Sequence, residues 1–156
     1  MGEKVKYLVS ACLCGICSRF DGKDAKDNKT AELAKRGKAI PVCPEELGGL
    51  PVPRSPAEIK KGDGKDVLSQ QSRIISKNGE DLTPFFLRGA FVSLRIAKRF
   101  KIKKAILKQG SPSCGCGWII CHRQIRLWRK RKEKRVKGDG VTTALFKKEG
   151  IKVIPR

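Results

Sequence analysis

Lys104-Ala105-Ile106-Leu107-Lys108-Gln109-Gly110-Ser111-Pro112-Ser113-Cys114-Gly115-Cys116-Gly117 sets a short apolar run against a loop with two thiols, two hydroxyls, one proline and three glycines. Ala105 to Lys108 reads as a buried strand. The loop after it is an odd choice for a mere connection. Glycine permits positive φ and close backbone approach, and sulfur holds soft metals or acts as a nucleophile.

Two further apolar runs share this design. Lys6 to Ala11 reads as a first strand and ends at Cys12; Ala39 to Val42 reads as a second and ends at Cys43. A helix is expected from Lys29 to Arg36, capped by Asn28 and closed by Gly37. The clearest helix runs from Pro84 to Lys101. Phe86, Ala90, Leu94 and Ala97 repeat at helical spacing, Thr83 suits the N-cap, and Pro84 suits the first turn. Val141 to Lys148 reads as a last helix and Ile151 to Ile154 as a last strand. Pro44 to Pro56 holds enough proline to predict a rigid, irregular loop. A small hairpin is expected around Val67 to Ile75.

Alternating strands and helices predict an α/β fold with a mainly parallel sheet, in Rossmann-like or flavodoxin-like order. The length of 156 residues suits one three-layer domain over residues 1–156. No run approaches the roughly 18–20 apolar residues that cross a bilayer. Met1 to Lys6 is charged and leads straight into a strand, unlike a signal peptide. A cytoplasmic protein with no membrane partner is therefore expected. Oligomeric state is left open.

Seven cysteines in such a setting point to metal or redox chemistry rather than a disulfide framework. With His122 the one histidine, any metal site is dominated by thiolates. The formal net charge of +21 fits an anionic partner, or simply a lysine-rich surface.

Cys12, Cys43 and Cys114 share one predicted address, just past the C-terminal ends of parallel strands. Open α/β sheets bind ligands at that edge. Three thiolates from three loops suit a cubane iron–sulfur cluster with one iron open to substrate. A buried cysteine is often only a small apolar side chain, and zinc is the competing metal. The C-x-C spacings of Cys12 with Cys14 and Cys114 with Cys116 are short for zinc. Glu45, two residues from Cys43, is either a site carboxylate or a loop acid paired with a lysine. Ser111 and Ser113 either meet substrate or close a turn. Arg54 either meets the ligand or pairs with Glu58.

Ser10-Ala11-Cys12-Leu13, Pro41-Val42-Cys43-Pro44-Glu45, Leu47-Gly48-Gly49-Leu50-Pro51, Ser111-Pro112-Ser113-Cys114-Gly115 and Gly138-Asp139-Gly140-Val141-Thr142-Thr143 resemble the motifs of the thiouracil desulfidase-like family. The resemblance implies a 4Fe-4S cluster on Cys12, Cys43 and Cys114. It also implies an enzyme that removes sulfur, as hydrosulfide, from a thiolated pyrimidine base or nucleoside such as 2-thiouracil or 4-thiouridine. Glu45, Ser111 and Ser113 become the local groups for moving protons. A second function from another class is an RNA-binding module whose cysteines hold a structural zinc or cluster.

The segment 121–137 departs from the family pattern. It carries nine basic residues between Arg123 and Lys137 against one acid, Glu133. Three readings stay open: an RNA-binding element that would bring in thiolated tRNA, a solvated basic stretch without a partner, or a stretch foreign to its flanks. Cys121 and His122 fall inside it and are not assigned as ligands.

Overall fold

The computed structural model describes residues 4–121 and 134–156. Its elements are β1 (Tyr7–Ser10), α1 (Asn28–Lys35), β2 (Ala39–Val42), α2 (Pro44–Leu47), β3 (Ala57–Ile59), α3 (Gly64–Leu68) and β4 (Ile74–Ser76). They continue with α4 (Thr83–Arg99), β5 (Lys104–Leu107), β6 (Trp118–Cys121), β7 (Lys134–Lys137), α5 (Val141–Lys148) and β8 (Lys152–Pro155).

The central sheet has the order β2-β1-β5-β8, and every neighbouring pair is parallel. The fold is α/β with a flavodoxin-like order: the chain builds β2 on one side of β1, then crosses to lay β5 on the other. The gap between the C-terminal ends of β1 and β5 is therefore the topological switch point, where such sheets open a crevice. Strand alternation divides the apolar side chains between two faces. Leu8, Ala105 and Leu107 pack with Phe86 and Leu94 of α4 and Phe146 of α5, whereas Val9 and Ile106 pack with Leu13 and with Leu33 of α1. Among the described residues no helix is long and apolar enough to cross a membrane.

Local chemistry corrects several expectations. Pro44–Leu47 is a short helix rather than irregular loop, with Pro44 at its first turn and Cys43 as the preceding cap residue. Proline fits there because its missing N–H has no helical partner anyway. Packing secures the rest: Gly48 and Gly89 face each other's helices, and a Cβ on either would strike the backbone of Phe85 or Pro44. That close approach explains a glycine inside α4, where it otherwise costs about 1 kcal/mol against alanine.

The expected hairpin at Val67–Ile75 is instead β3 paired with β4, with α3 between them. Asp63 and Asp66 close a capping box around α3, and Val67 is fully buried. Asp27, not Asn28, caps α1; its carboxylate accepts from the Thr30 amide at 3.0 Å and hydroxyl at 2.6 Å. Thr83 is the first residue of α4 rather than its cap, and its hydroxyl accepts from the Ile74 amide at 2.9 Å. β6 and β7 form an antiparallel pair on either side of residues 122–133, with the Arg135 guanidinium 4.2 Å from the Trp118 ring centre. The RNA, solvated-stretch and foreign-stretch readings of the basic segment rest mainly on 122–133 and lie outside the described residues, as does His122.

Candidate functional site

Where the β1–β5 ladder ends, a side chain takes over from the backbone. The buried Ser10 hydroxyl accepts from the Lys108 amide at 2.9 Å, holding the two strand ends together at the mouth of the crevice. A cavity of about 260 Å³ opens here, lined by Cys12, Cys43, Cys114, Glu45, Arg54 and Ser111 among others. This places five of the six expected site residues on one wall system. Ser113 is the exception.

Each thiol arrives by a different local device. Cys12 sits in a single 3₁₀ turn, Ala11–Cys14, ended by Gly15 in the left-handed region at φ 84°. Cys43 is held by α2 seated against α4. Cys114 depends on the start of α5. The amides of Gly140, Val141 and Thr142, which would otherwise lack partners at a helix start, donate to the carbonyls of Gly115, Pro112 and Ser113 at 2.8–2.9 Å. The Thr143 hydroxyl donates to the Cys114 carbonyl at 2.8 Å, and the Ser113 hydroxyl pairs with that of Thr142 at 2.9 Å. Gly140 allows this fit, because a Cβ there would strike the Ser113–Cys114 backbone. The glycine motif near the C-terminus thus anchors the third thiol.

Burial pushes all three thiols above their ordinary range. Cys12 is raised to about 11, first by desolvation and then by Cys43, with Lys108 and Arg19 pulling the other way. Cys43 is raised by desolvation, against a hydrogen bond from the Glu46 backbone. Cys114 is raised furthest, again by burial, with the charges of Cys43, Glu45 and Cys12 adding to it. The three thiols therefore sense one another's charge. Such a site resists holding thiolates unless a positive body compensates them.

Glu45 is not a loop acid paired with a lysine. Its carboxylate accepts from Arg54 Nε at 2.6 Å, and the two side chains are only 14% and 6% exposed. Arg54 also donates to the carbonyls of Pro51 at 3.1 Å and Ser18 at 2.9 Å, and reaches Cys43 Sγ at 3.8 Å. The alternative pairing of Arg54 with Glu58 is not formed; Glu58 Oε2 instead accepts from the buried Cys121 thiol at 3.6 Å. Burial works against the Arg54 charge, but Glu45 outweighs it and raises the guanidinium further.

Ser111 closes a turn and also reaches Glu45. Its oxygen accepts from the amides of Ser113 at 3.0 Å and Cys114 at 3.2 Å, and its hydroxyl donates to Glu45 Oε1 at 3.3 Å. Ser113 is 1% exposed and does not line the cavity; its hydroxyl lies 3.8 Å from Cys114 Sγ.

Cys14, Cys17, Cys116 and Cys121 are also outside the lining. Cys116 is held at both ends of its peptide by Gln109, which accepts from its amide at 2.7 Å and donates to its carbonyl at 2.8 Å. Nearby, the Lys147 ammonium pairs with Asp139 at 2.9 Å. Among the described residues no three Cys, His, Asp or Glu side chains converge tightly enough for a single metal ion.

The sequence offers Arg54 as a ligand contact or a Glu58 partner, but nothing in the spacing joins it to Glu45. Ser10 is readable as strand and as part of the first cysteine motif, not as the clamp on Lys108.

Fold and cavity together define a small α/β protein with a thiol-lined ligand site at its switch point. The chain belongs to the 2-thiouracil desulfurase family, whose profile matches residues 7–156. It is similar to the uncharacterized protein YbbK of Bacillus subtilis (strain 168), at 42% identity over 147 residues, covering 94% of this chain and 93% of that one. Among solved structures it is similar to the 4Fe-4S-dependent thiouracil desulfidase TudS. That match has 37% identity and a TM-score of 0.81, over 98% of this chain and 91% of the other.

Proposed function

We propose that this chain is a 4Fe-4S-dependent desulfidase that converts a thiolated pyrimidine, of the 2-thiouracil or 4-thiouridine type, to its carbonyl form with release of hydrosulfide. The observation that carries the reading is the meeting of Cys12, Cys43 and Cys114, from three separate strand ends, around one cavity that also holds Glu45 and Ser111. The donor set fits such a cluster. Its sulfurs are soft, they come from three separate strand ends, and no fourth described thiol lines the cavity. TudS supplies the family precedent. Bound there, a cubane cluster supplies a soft iron able to draw a thiocarbonyl sulfur from carbon.

The chain's own groups handle the protons. Glu45 takes a proton from the attacking water and returns it later in the exchange of sulfur for oxygen, as one carboxylate can do in turn. Arg54 holds one oxygen of that carboxylate, leaving the other toward Ser111. The Ser111 hydroxyl has both amide donors on its oxygen, so its hydrogen is directed to Glu45. Ser113 positions the Cys114 sulfur. Seven cysteines with no disulfide among the described residues suit a reducing cytoplasm.

Anaerobic reconstitution tests this directly. A brown protein with about four irons per chain, releasing hydrosulfide from 2-thiouracil, is expected. Cys43→Ser should lose both colour and activity, whereas Glu45→Gln should keep the colour and lose turnover. Colourless wild-type protein after reconstitution would sink the proposal, and so would one zinc per chain. The family and structural matches favour the desulfidase over an RNA-binding module with structural zinc.

A further inference from the structure

We propose that Phe20 is the platform on which the substrate ring lies, and that it selects flat aromatic rings over puckered ones. This rests on the desulfidase reading above. Among the described residues two aromatic side chains line the cavity, Phe20 and Phe86. Phe86 is 1% exposed, sunk into the core under α4, and has no free ring face to give. Phe20 keeps 40% of its surface.

That exposure is held on an anchored backbone. Around Phe20 the Gly22 amide donates to the Arg19 carbonyl at 3.0 Å, and the Arg19 amide to the Lys23 carbonyl at 3.2 Å. Within the same turn the Asp21 carboxylate accepts from the Arg19 guanidinium at 3.0 Å and the Lys23 amide at 3.1 Å. The Phe20 carbonyl itself accepts from the Arg54 amide at 2.8 Å. This last bond ties the turn to the loop that carries the Glu45 partner. A ring on so anchored a backbone loses little freedom when a ligand covers it, which is what preorganised sites require.

A lone exposed phenylalanine is ordinary on a protein surface. This one borders a cavity whose described apolar lining, Phe86 apart, is aliphatic, including Val42, Pro44, Pro112 and Ile120. Aliphatic walls supply shape, whereas a π face also sets the plane of an aromatic ligand. With the thiols at one end, a ring held flat presents its sulfur edge to them and its carbon to Glu45.

The test uses reconstituted holoenzyme with Phe20→Ala, Phe20→Leu and Phe20→Tyr. Calorimetry measures binding of uracil and of 5,6-dihydrouracil, which share a polar edge but differ in ring flatness and aromaticity. Hydrosulfide release from 2-thiouracil is followed in parallel. Uracil binding should fall about 5- to 150-fold in the Ala and Leu variants and hold in the Tyr variant, the range expected for base stacking. Dihydrouracil binding should stay the same in all four proteins, and KM for 2-thiouracil should rise with kcat nearly unchanged. Wild-type protein that shows no preference for uracil over dihydrouracil would overturn the platform, as would a Leu variant equal to the Tyr variant. Loss of iron from all three variants would make Phe20 structural and overturn it too. Phe20-dependent uracil binding without hydrosulfide release would sink the desulfidase reading alone.

Discussion

Replacing Arg54 by methionine should destabilise the cluster-free protein by about 3–5 kcal/mol, the usual cost of stripping one partner from a buried ion pair. The geometry puts this pair in that class. Nε and Oε2 are 2.6 Å apart, and the side chains are 6% and 14% exposed, so water can replace little of what is lost. Glu45 would keep its Ser111 contact and nothing cationic in its place. The Pro51 carbonyl would lose its guanidinium donor as well, whereas the Ser18 carbonyl keeps the Cys43 thiol at 3.6 Å. Against a typical domain stability of about 5–15 kcal/mol, the change is large enough to read without ambiguity.

Urea unfolding under anaerobic, reducing conditions, followed by circular dichroism, measures it apart from any cluster. The decisive comparison is the double variant Glu45→Gln with Arg54→Met. A neutral amide needs no counterion, so most of the stability should return, with a coupling of about 2–3 kcal/mol. A loss below about 1 kcal/mol in the single variant, or no recovery in the double, would refute the reasoning. Recovery would also show that the pair adds little net stability over neutral packing. Its use would then be to place a charged carboxylate beside the thiols.

Cys116→Ser should leave iron content and hydrosulfide release at wild-type levels, since Cys116 does not line the cavity; colourless protein would make it a ligand and close the proposed site. Ser113→Ala should cost about 1–3 kcal/mol through the unpartnered, buried Thr142 hydroxyl, with turnover reduced far less than by Ser111→Ala; equal losses of turnover would return Ser113 to proton transfer. Gly89→Ala should lower stability by about 1–3 kcal/mol or more by overpacking α4 against Pro44, and cluster loading should fall with it; an unchanged melting temperature would contradict the close approach. Asp27→Ala should cost about 1 kcal/mol at neutral pH as a lost helix cap. Hydrogen bonds from Thr30 lower the folded pKa of Asp27, so its stabilisation is full above the unfolded value of about 3.9 and is lost as pH falls through the lower folded value. The gap between wild type and variant in an acid titration should therefore close below about pH 4, and a constant gap would refute the cap.

Much of the sheet was readable because its strands are short apolar runs, three of which lead into loops that carry cysteines. Cys12, Cys43 and Cys114 could be placed together from topology alone, since parallel strands bring their C-terminal ends to one edge. The helix over 141–148 matched its expected bounds because its apolar face is nearly continuous. What escaped was local structure whose stability is not local. α2 is four residues long and begins with proline; it exists because Gly48 and Gly89 let it sit on α4, a contact between residues 41 apart in sequence. The β3–β4 pair spans a helix that its two aspartates close, and polar composition alone resembled a turn.

Arg54 shows the same limit at the site. A carboxylate beside a cysteine invites a catalytic reading, but in the proposed reaction Glu45 depends on Arg54, a cation nine residues away whose Nε meets it at 2.6 Å. The same arginine touches Ser18 and Cys43 through its side chain and Phe20 through its amide. One residue therefore links the carboxylate, a sulfur donor and the aromatic rim. A charge change at Arg54 should then disturb proton transfer and cluster retention together, whereas a change at Phe20 should disturb substrate affinity alone. The linkage is a property of the folded loop, and the cysteine spacing that identifies the site carries no trace of it.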